Sequence, residues 1–231
     1  MTEIFDKTGS NHDWLKFEGT HIPSSLELDP VIFKYLQKDH KILDVGCGFG
    51  KTIFELEKLG YRNLVGVDIN PSGISYAKSE SIKLDTNLHF EVGDAKSLDF
   101  EDGTFDFVIA QAFWTTITKG EDRLKIAKEI NRVLKIGGAI YIADFGKTWN
   151  NPHYRKIYEK GVKDGLEQGT FKVYNKHTGE FMYLAHHHTR RELSELLKES
   201  GFCDPACYKS AIFTTQSGNR IRGHVLIANK Q

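Results

Sequence analysis

The chain has 231 residues, and its 31 basic residues balance its 31 acidic residues, so the formal net charge is zero. This balance excludes a uniformly basic surface for binding nucleic acid. Three cysteines without a CxxC pair argue against a disulfide framework or a four-cysteine zinc site. No apolar run reaches the ~20 residues of a membrane span, and the N-terminus lacks an apolar signal-peptide core. We therefore expect a cytoplasmic globular protein, of an oligomeric state that composition does not reveal.

Short apolar strands alternate with helical patterns from residue 29 to residue 145. Asp29-Pro30 and Asn70-Pro71 each place an N-cap residue before a proline, which is typical of a helix start. The alternation predicts βαβ units, a parallel sheet and a doubly wound α/β fold. Strands are predicted at 41–45, 64–68, 88–92, 105–110 and 139–144, and helices at 30–36, 52–59, 71–82 and 121–134.

The pattern changes after Asp144. A polar helix is predicted within 150–168, interrupted by Gly161 and Gly165, and two strands are predicted within 171–187. Thr189 and Glu192 have the spacing of a capping box, which predicts a helix that ends at Gly201. Two final strands are predicted at 209–215 and 223–228. We expect a single domain over 1–231, with an N-terminal flap at 1–25 and a lid insertion at 145–188.

A glycine-rich turn is the strongest local motif. Asp44 lies next to the last residue of the first buried strand, and Gly46, Gly48 and Gly50 follow with GxGxG spacing before a predicted helix. Glycine lets the backbone turn sharply and approach a ligand closely. The crevice beyond the carboxyl ends of the strands is the usual ligand site of an open α/β sheet. The turn therefore predicts a ligand site.

Acidic residues follow the next two strands. Asp68 ends the second strand, where a carboxylate can accept both ribose hydroxyls of an adenosine. Asp94 follows the third strand and can meet the adenine amino group, while the backbone N–H of Ala95 pairs with a ring nitrogen. Either acid alone could be a solvated loop residue. Together with the glycine-rich turn, they predict an adenosine-containing cofactor.

Five sequence segments, in this order, resemble the motifs of class I S-adenosylmethionine-dependent methyltransferases: ILDVGCGFG, VGVDIN, FEVGDA, FDFVIAQ and RVLKIGGAIYIADF. The resemblance covers about residues 26 to 145, and the C-terminal part resembles the family's last helix and hairpin. It implies a Rossmann-like, mostly parallel seven-stranded sheet whose last strand is antiparallel. It also implies S-adenosyl-L-methionine as the cofactor and S-adenosyl-L-homocysteine as the product.

The resemblance assigns cofactor roles to nine positions. The methionine portion faces Asp44, Gly46, Cys47, Gly48 and Gln111, the ribose meets Asp68, and the adenine contacts Ile69, Asp94 and Ala95.

Candidate catalytic residues lie at the end of the insertion and of the fifth strand. Methyl transfer is an in-line displacement that needs a base only for some acceptors. His186 and His188 share one face of a predicted strand, and a neutral imidazole can remove a proton. Asp144 is expected to face the crevice and to bind an acceptor amine or hydroxyl. Alternatively, the histidines satisfy backbone groups or share a metal, and Asp144 caps the next segment.

No metal site is expected, because the Asp-Asn pair of metal-dependent catechol methyltransferases does not follow Asp144. Aromatic and imidazole side chains near the predicted crevice are candidates for acceptor binding, although packing is the alternative role for each. These candidates are Trp14, His21, Phe113, Trp114 and Tyr183.

The function that we expect is methyl transfer to an O, N or S atom of a small molecule. The fourth strand ends Gln111-Ala112-Phe113-Trp114, without the Asn/Asp-Pro-Pro-aromatic run of adenine or glutamine amino-methyltransferases. Zero net charge disfavours an RNA or protein substrate, and the GxGxG spacing with Asp94 disfavours a nicotinamide dehydrogenase. A non-catalytic module that binds the cofactor remains an alternative, because the cofactor and acceptor sites are separate structures.

Overall fold

A seven-stranded sheet forms the centre of the protein. The computed structural model describes residues 11–18, 26–175, 177–214 and 219–231, with side chains from Trp14 onward. The sheet has the strand order β3-β2-β1-β4-β5-β9-β8, and β6 and β7 form a separate two-stranded sheet. The strands are β1 (Ile42–Val45), β2 (Leu64–Asp68), β3 (His89–Val92), β4 (Phe105–Gln111), β5 (Leu134–Phe145), β6 (Thr170–Tyr174), β7 (Phe181–His186), β8 (Cys207–Thr214) and β9 (Arg220–Asn229).

Helices connect the strands, and several have side-chain caps at their N-termini. Asn70 and Asn151 each accept two backbone N–H groups, and Thr189 and Glu192 form the predicted capping box. The α-helices are α1 (Lys51–Lys58), α2 (Pro71–Lys83), α3 (Gly120–Val133), α4 (Pro152–Lys163) and α5 (Arg190–Glu199). Short 3-10 helices cover Asn11–Lys16, Pro30–Lys34 and Trp114–Thr116.

The direction of the strands confirms the predicted fold class. β1 is parallel to β2 and β4, β2 is parallel to β3, and β4 is parallel to β5. β9 runs antiparallel to both of its neighbours, β5 and β8. Ile42 belongs to one hydrophobic cluster, whereas Leu43 and Val45 belong to another. Since alternate side chains of β1 enter different clusters, both faces of the sheet are buried, as a doubly wound fold requires.

The segment between β5 and α5 contains α4 and the β6–β7 hairpin. Tyr158 on α4 hydrogen-bonds through its hydroxyl to Nδ1 of His187, at 2.7 Å. The His187 ring also contacts the rings of Phe145, Tyr154 and Phe171. An aromatic cluster therefore attaches this segment to the end of β5. β7 contacts the 3-10 helices at 11–16 and 114–116.

Some predicted elements differ from the structure. The helix predicted at 30–36 is a 3-10 helix that covers only Pro30–Lys34, and the N–H of Tyr35 bonds to the carbonyl of Ile32. β5 begins at Leu134 rather than at residue 139. Gly161 does not interrupt α4, which ends at Lys163 before Gly165. Within the described ranges, no helix is long and apolar enough to cross a membrane.

Gly161 is instead required by close packing. A Cβ atom at this position would lie 2.1 Å from the carbonyl oxygen of Thr170 on β6, so α4 and β6 approach too closely for any side chain.

We predict that Gly161→Ala lowers the free energy of unfolding by about 1–3 kcal/mol, because strain from overpacking outweighs the gain of about 1 kcal/mol in helix propensity. Urea denaturation measures this change. Lys160→Ala, at an exposed position of the same helix, is the control and should have little effect. A stabilised Gly161→Ala variant would show that α4 and β6 are not in close contact.

Candidate functional site

A cavity opens at the carboxyl ends of β1, β2, β3 and β4. The turns that follow these four strands supply most of its lining. All nine residues of the predicted cofactor set line it, together with Trp14 and Phe113. Further lining residues that the sequence did not single out include Lys51, Thr52, Asn70 and Thr116.

The glycine-rich turn is anchored to β2 and packed against the end of β4. The N–H groups of Gly46 and Cys47 both donate to the carbonyl of Val67, at 2.8 and 3.1 Å. Gly46 has a φ of +73°, and a Cβ atom there would lie 2.5 Å from the Phe113 ring. Both its backbone conformation and its packing therefore require glycine at this position. The N-terminus of α1 follows directly, so its unpaired N–H groups add positive potential to the cavity.

The Asp68 carboxylate is held in one orientation by the backbone. Its Oδ2 accepts the N–H of Gly48 and its Oδ1 accepts the N–H of Asn70, both at 2.8 Å. Burial raises the pKa of Asp68, while these backbone hydrogen bonds act in the opposite direction. Each oxygen keeps a lone pair, so the fixed carboxylate can accept two neighbouring hydroxyl groups of a ligand.

Two buried carboxyl groups make the cavity suitable for a cationic ligand. Burial raises the pKa of Asp44, and the nearby charge of Asp68 raises it further. Burial also raises the pKa of the Cys47 thiol, which keeps it protonated and poorly nucleophilic. A bound cation would relieve the cost of ionising both carboxyl groups.

Polar groups at the ends of β3 and β4 complete this side of the cavity. The Oδ1 atom of Asp94 accepts the N–H of Lys96 at 2.9 Å. Nε2 of Gln111 donates to the carbonyl of Leu26 at 3.1 Å. Oε1 of Gln111 is buried and has no hydrogen-bond partner among the described residues. A buried acceptor without a partner is uncommon and indicates a polar group that is supplied by a ligand or by water.

Asp144 and Trp114 do not line the cavity. Asp144 is fully buried, where its Oδ2 accepts the N–H of Thr115 at 3.0 Å and its Oδ1 accepts the N–H of Phe145 at 2.6 Å. Asp144 therefore fastens the 3-10 helix Trp114–Thr116 to the end of β5. This helix covers the carboxyl group, so the expectation that Asp144 faces the crevice is corrected. Trp114 packs in the core and is also fully buried.

His186 and His188 also lie apart from the residues that line the cavity. As the strand pattern predicts, they share one side, with ring centroids 4.6 Å apart, but both are buried. Burial lowers the pKa of His186, and it lowers that of His188 to about 3. Both imidazoles are therefore neutral, but neither is among the residues that line the cavity. Their placement differs from the one expected beside the acceptor, because both side chains are buried in the protein interior.

The described part of the N-terminal segment lies against both the cavity and the β6–β7 hairpin. Trp14 lines the cavity and contacts the ring of Tyr183, with centroids 4.6 Å apart. Nδ2 of Asn70 donates to the carbonyls of Trp14 and Phe17, at 2.6 and 2.8 Å. Tyr183 therefore contacts Trp14 but is not itself among the lining residues. The other candidate, His21, lies outside the described residues.

Asn70 was missed as a site residue, although its sequence signal was visible. Asn70-Pro71 predicts a helix cap, and the side-chain oxygen of Asn70 does cap α2. Its side-chain nitrogen binds the N-terminal segment, and its backbone N–H binds Asp68. A helix cap alone does not reveal contacts with a segment more than fifty residues away.

We predict that Asp144 gives the protein a pH-dependent stability. Burial raises the pKa of Asp144 to about 7, against about 4 for an unfolded chain. The folded state then holds a proton that the unfolded state releases, so this contribution to stability falls as pH rises from about 4 to about 7. The free energy of unfolding of Asp144→Asn minus that of the native chain should therefore increase by at least about 1 kcal/mol as pH rises over this range.

Urea denaturation at a series of pH values measures this slope. Asp106→Asn is the control, because hydrogen bonds from Lys135 and from the Lys41 backbone lower the pKa of Asp106 despite its partial burial. The stability of Asp106→Asn relative to the native chain should stay nearly constant from about pH 4 to about pH 7, because a lowered pKa places the titration of Asp106 below this range. If the difference in free energy of unfolding between Asp144→Asn and the native chain stays constant with pH, the claim that Asp144 is buried and protonated is contradicted.

Comparisons with known proteins agree with this geometry. The family model described as a methyltransferase domain matches residues 36–212. A solved S-adenosylmethionine-dependent methyltransferase from Methanosarcina mazei is 39% identical, with a TM-score of 0.84, covering 89% of this chain and 99% of that one. Phosphoethanolamine N-methyltransferase 1 of Arabidopsis thaliana is 27% identical over 73% of this chain and 30% of its own length. Sterol 24-C-methyltransferase of Saccharomyces cerevisiae is 34% identical over 57% of this chain and 35% of its own length.

The chain belongs to the methyltransferase domain family, and its cofactor is S-adenosylmethionine. It spans about a third of the length of the two curated relatives. The cavity fits the cofactor, because fixed Asp68 oxygens suit a ribose diol and buried acids suit a molecule with a sulfonium and an ammonium group.

We predict that Asp68→Asn weakens S-adenosylmethionine binding about tenfold or more. The variant keeps one acceptor oxygen but loses hydrogen bonds to a charged group, which contribute about 1.5–3 kcal/mol. Equilibrium dialysis measures the dissociation constant. Asp99→Asn, at an exposed position beyond the cavity, is the control. An unchanged constant for Asp68→Asn would show that the ribose lies elsewhere.

Proposed function

We propose that this protein transfers the methyl group of S-adenosylmethionine to an O, N or S atom of a small molecule. The observation that carries the proposal is the meeting of Asp44, Asp68 and Asp94 in one cavity beside the glycine-rich turn. Alternatives are an RNA or protein acceptor, or a module that binds the cofactor without transferring its methyl group.

The proposed cofactor contacts follow the lining of the cavity. Gly46, Cys47 and Gly48 would hold the methionine portion, with Gln111 and Asp44 accepting from its ammonium group. Asp68 would hold the ribose. The adenine would lie on Ile69, with its edge against Asp94 and Ala95.

The sulfonium supplies an activated methyl group, so the chain's own residues have to align the acceptor and exclude water. Phe113, Trp14 and Thr116 line the cavity and are proposed to form the acceptor side. Residues 145–188 would act as a lid, and the N-terminal segment as a flap that Trp14 and Tyr183 join to it. We propose catalysis by alignment, without His186, His188 or Asp144 as a base, because all three are buried apart from the lining residues.

Trp14 lines the cavity, and a cavity enclosed in this way favours a small acceptor over a folded macromolecule. Zero net charge adds no general attraction for RNA. The two curated relatives are named for phosphoethanolamine and sterol, which are small molecules. The cysteines at 47, 203 and 207 are unpaired, which supports a reducing, cytoplasmic location.

Formation of S-adenosylhomocysteine tests the proposal. The purified chain is incubated with S-adenosylmethionine and a panel of small amines, phenols, thiols and carboxylates, with total RNA and a protein extract in parallel. Turnover with one small-molecule class supports the proposal. Turnover with RNA or protein alone would contradict it, and tight cofactor binding without turnover under any condition would favour the non-catalytic module.

We predict that Trp14→Ala raises the KM for the acceptor at least fivefold, while the dissociation constant for S-adenosylmethionine changes less. The loss of one stacked aromatic contact is worth about 1 kcal/mol. Leu15→Ala is the matched control, because Leu15 is exposed on the same 3-10 helix. Equal effects of the two variants on the KM would show that Trp14 does not contact the acceptor.

A further inference from the structure

A cluster of metal-ligating side chains lies between the β6–β7 hairpin and α5. Ligand-capable atoms of His186, His188 and Glu192 are within 4.8 Å of one another. His186 ends β7, and Glu192 lies in the first turn of α5, where the capping box with Thr189 fixes its position. One residue of β7, one of α5 and one of the segment between them are thereby brought together by the local fold.

The two histidines have free ring nitrogens at this point. Nε2 of His186 and Nε2 of His188 are buried and have no hydrogen-bond partner among the described residues. The two residues are only 0% and 1% exposed. Buried polar atoms are rarely unpartnered, so two such atoms side by side indicate a site for a water molecule or an ion.

The opposite side of each ring is held by the protein. Nδ1 of His186 is 2.7 Å from the Thr170 hydroxyl, and His188 hydrogen-bonds to the backbone of Trp114. Contacts of this kind orient histidines that bind metals, because they fix which ring nitrogen faces the ion. The arrangement leaves both Nε2 atoms available as ligands.

Charges around the cluster are balanced in pairs. Oε1 of Glu192 lies 2.5 Å from Nζ of the buried Lys147, and Glu167 pairs with Arg123. Oε1 of Glu167 is also 4.0 Å from Nε2 of His186. Lys147 therefore competes with any metal ion for Glu192, whereas Glu167 adds negative charge at the edge of the site.

We propose that His186, His188 and Glu192 form a zinc site that fastens the lid hairpin to α5. Two neutral imidazoles and one carboxylate are a common donor set for Zn²⁺. Mg²⁺ and Ca²⁺ prefer sites made of oxygen ligands and fit this set poorly. Because His188 also contacts the backbone of Trp114, bound zinc would stiffen the 3-10 helix beside the cavity.

Zinc binding by the untagged chain, freed of metal with a chelator, tests the proposal. Titration with Zn²⁺ against a chromophoric chelator should give one equivalent bound with micromolar or tighter affinity, and the Tm should rise with zinc concentration. Co²⁺ in place of Zn²⁺ should give the intense visible absorption of a tetrahedral site. Absence of stoichiometric binding would overturn the proposal.

Three variants locate the site. Glu192→Gln can keep the capping box but loses the anionic ligand, and should weaken zinc binding at least tenfold. Glu195→Gln, on the same helix and paired at the surface with Arg191, is the control and should bind as the native chain does. Lys147→Met removes the competing cation and should tighten binding. Equal affinities for Glu192→Gln and Glu195→Gln would place bound zinc elsewhere and overturn the assignment.

Discussion

The geometry of parallel strands is the constraint on which the site depends. Parallel neighbours end at the same edge of a sheet, so the turns after β1, β2, β3 and β4 meet there. Two hydrogen bonds from the glycine-rich turn to Val67 fix the turn to β2, and Asp68 then binds the turn through Gly48. Three carboxyl groups converge in one cavity, where a cationic cofactor would offset the repulsion between Asp44 and Asp68.

The β6–β7 hairpin contacts one wall of this cavity from outside the main sheet. The insertion after β5 forms its own hairpin, and Tyr183 on that hairpin supports Trp14 at the cavity. Asn70 joins the N-terminal segment to the same loop that carries Asp68. Cofactor binding and closure of the proposed lid and flap would therefore act on one shared loop. This loop gives the proposed flap a direct physical link to the ribose.

Features that depend on neighbouring residues in sequence were predictable, whereas those that depend on packing between distant segments were not. Asp44, Asp68 and Asp94 were found because each lies at or just beyond the carboxyl end of a strand, and strand order brings such positions together. Asp144 ends a strand as well, but the helix Trp114–Thr116 lies over it. Gly161 looked like a helix breaker because its close contact with Thr170 is invisible in the sequence.

Calorimetric titration with S-adenosylmethionine, S-adenosylhomocysteine and NADH, in parallel, tests the central claim most directly. The claim is that the cavity at the strand ends holds the adenosyl cofactor through Asp68. Micromolar binding of both adenosyl compounds to the native chain, with no heat from NADH, is the predicted result. Binding of NADH alone, or of none of the three, would contradict the account of this cavity.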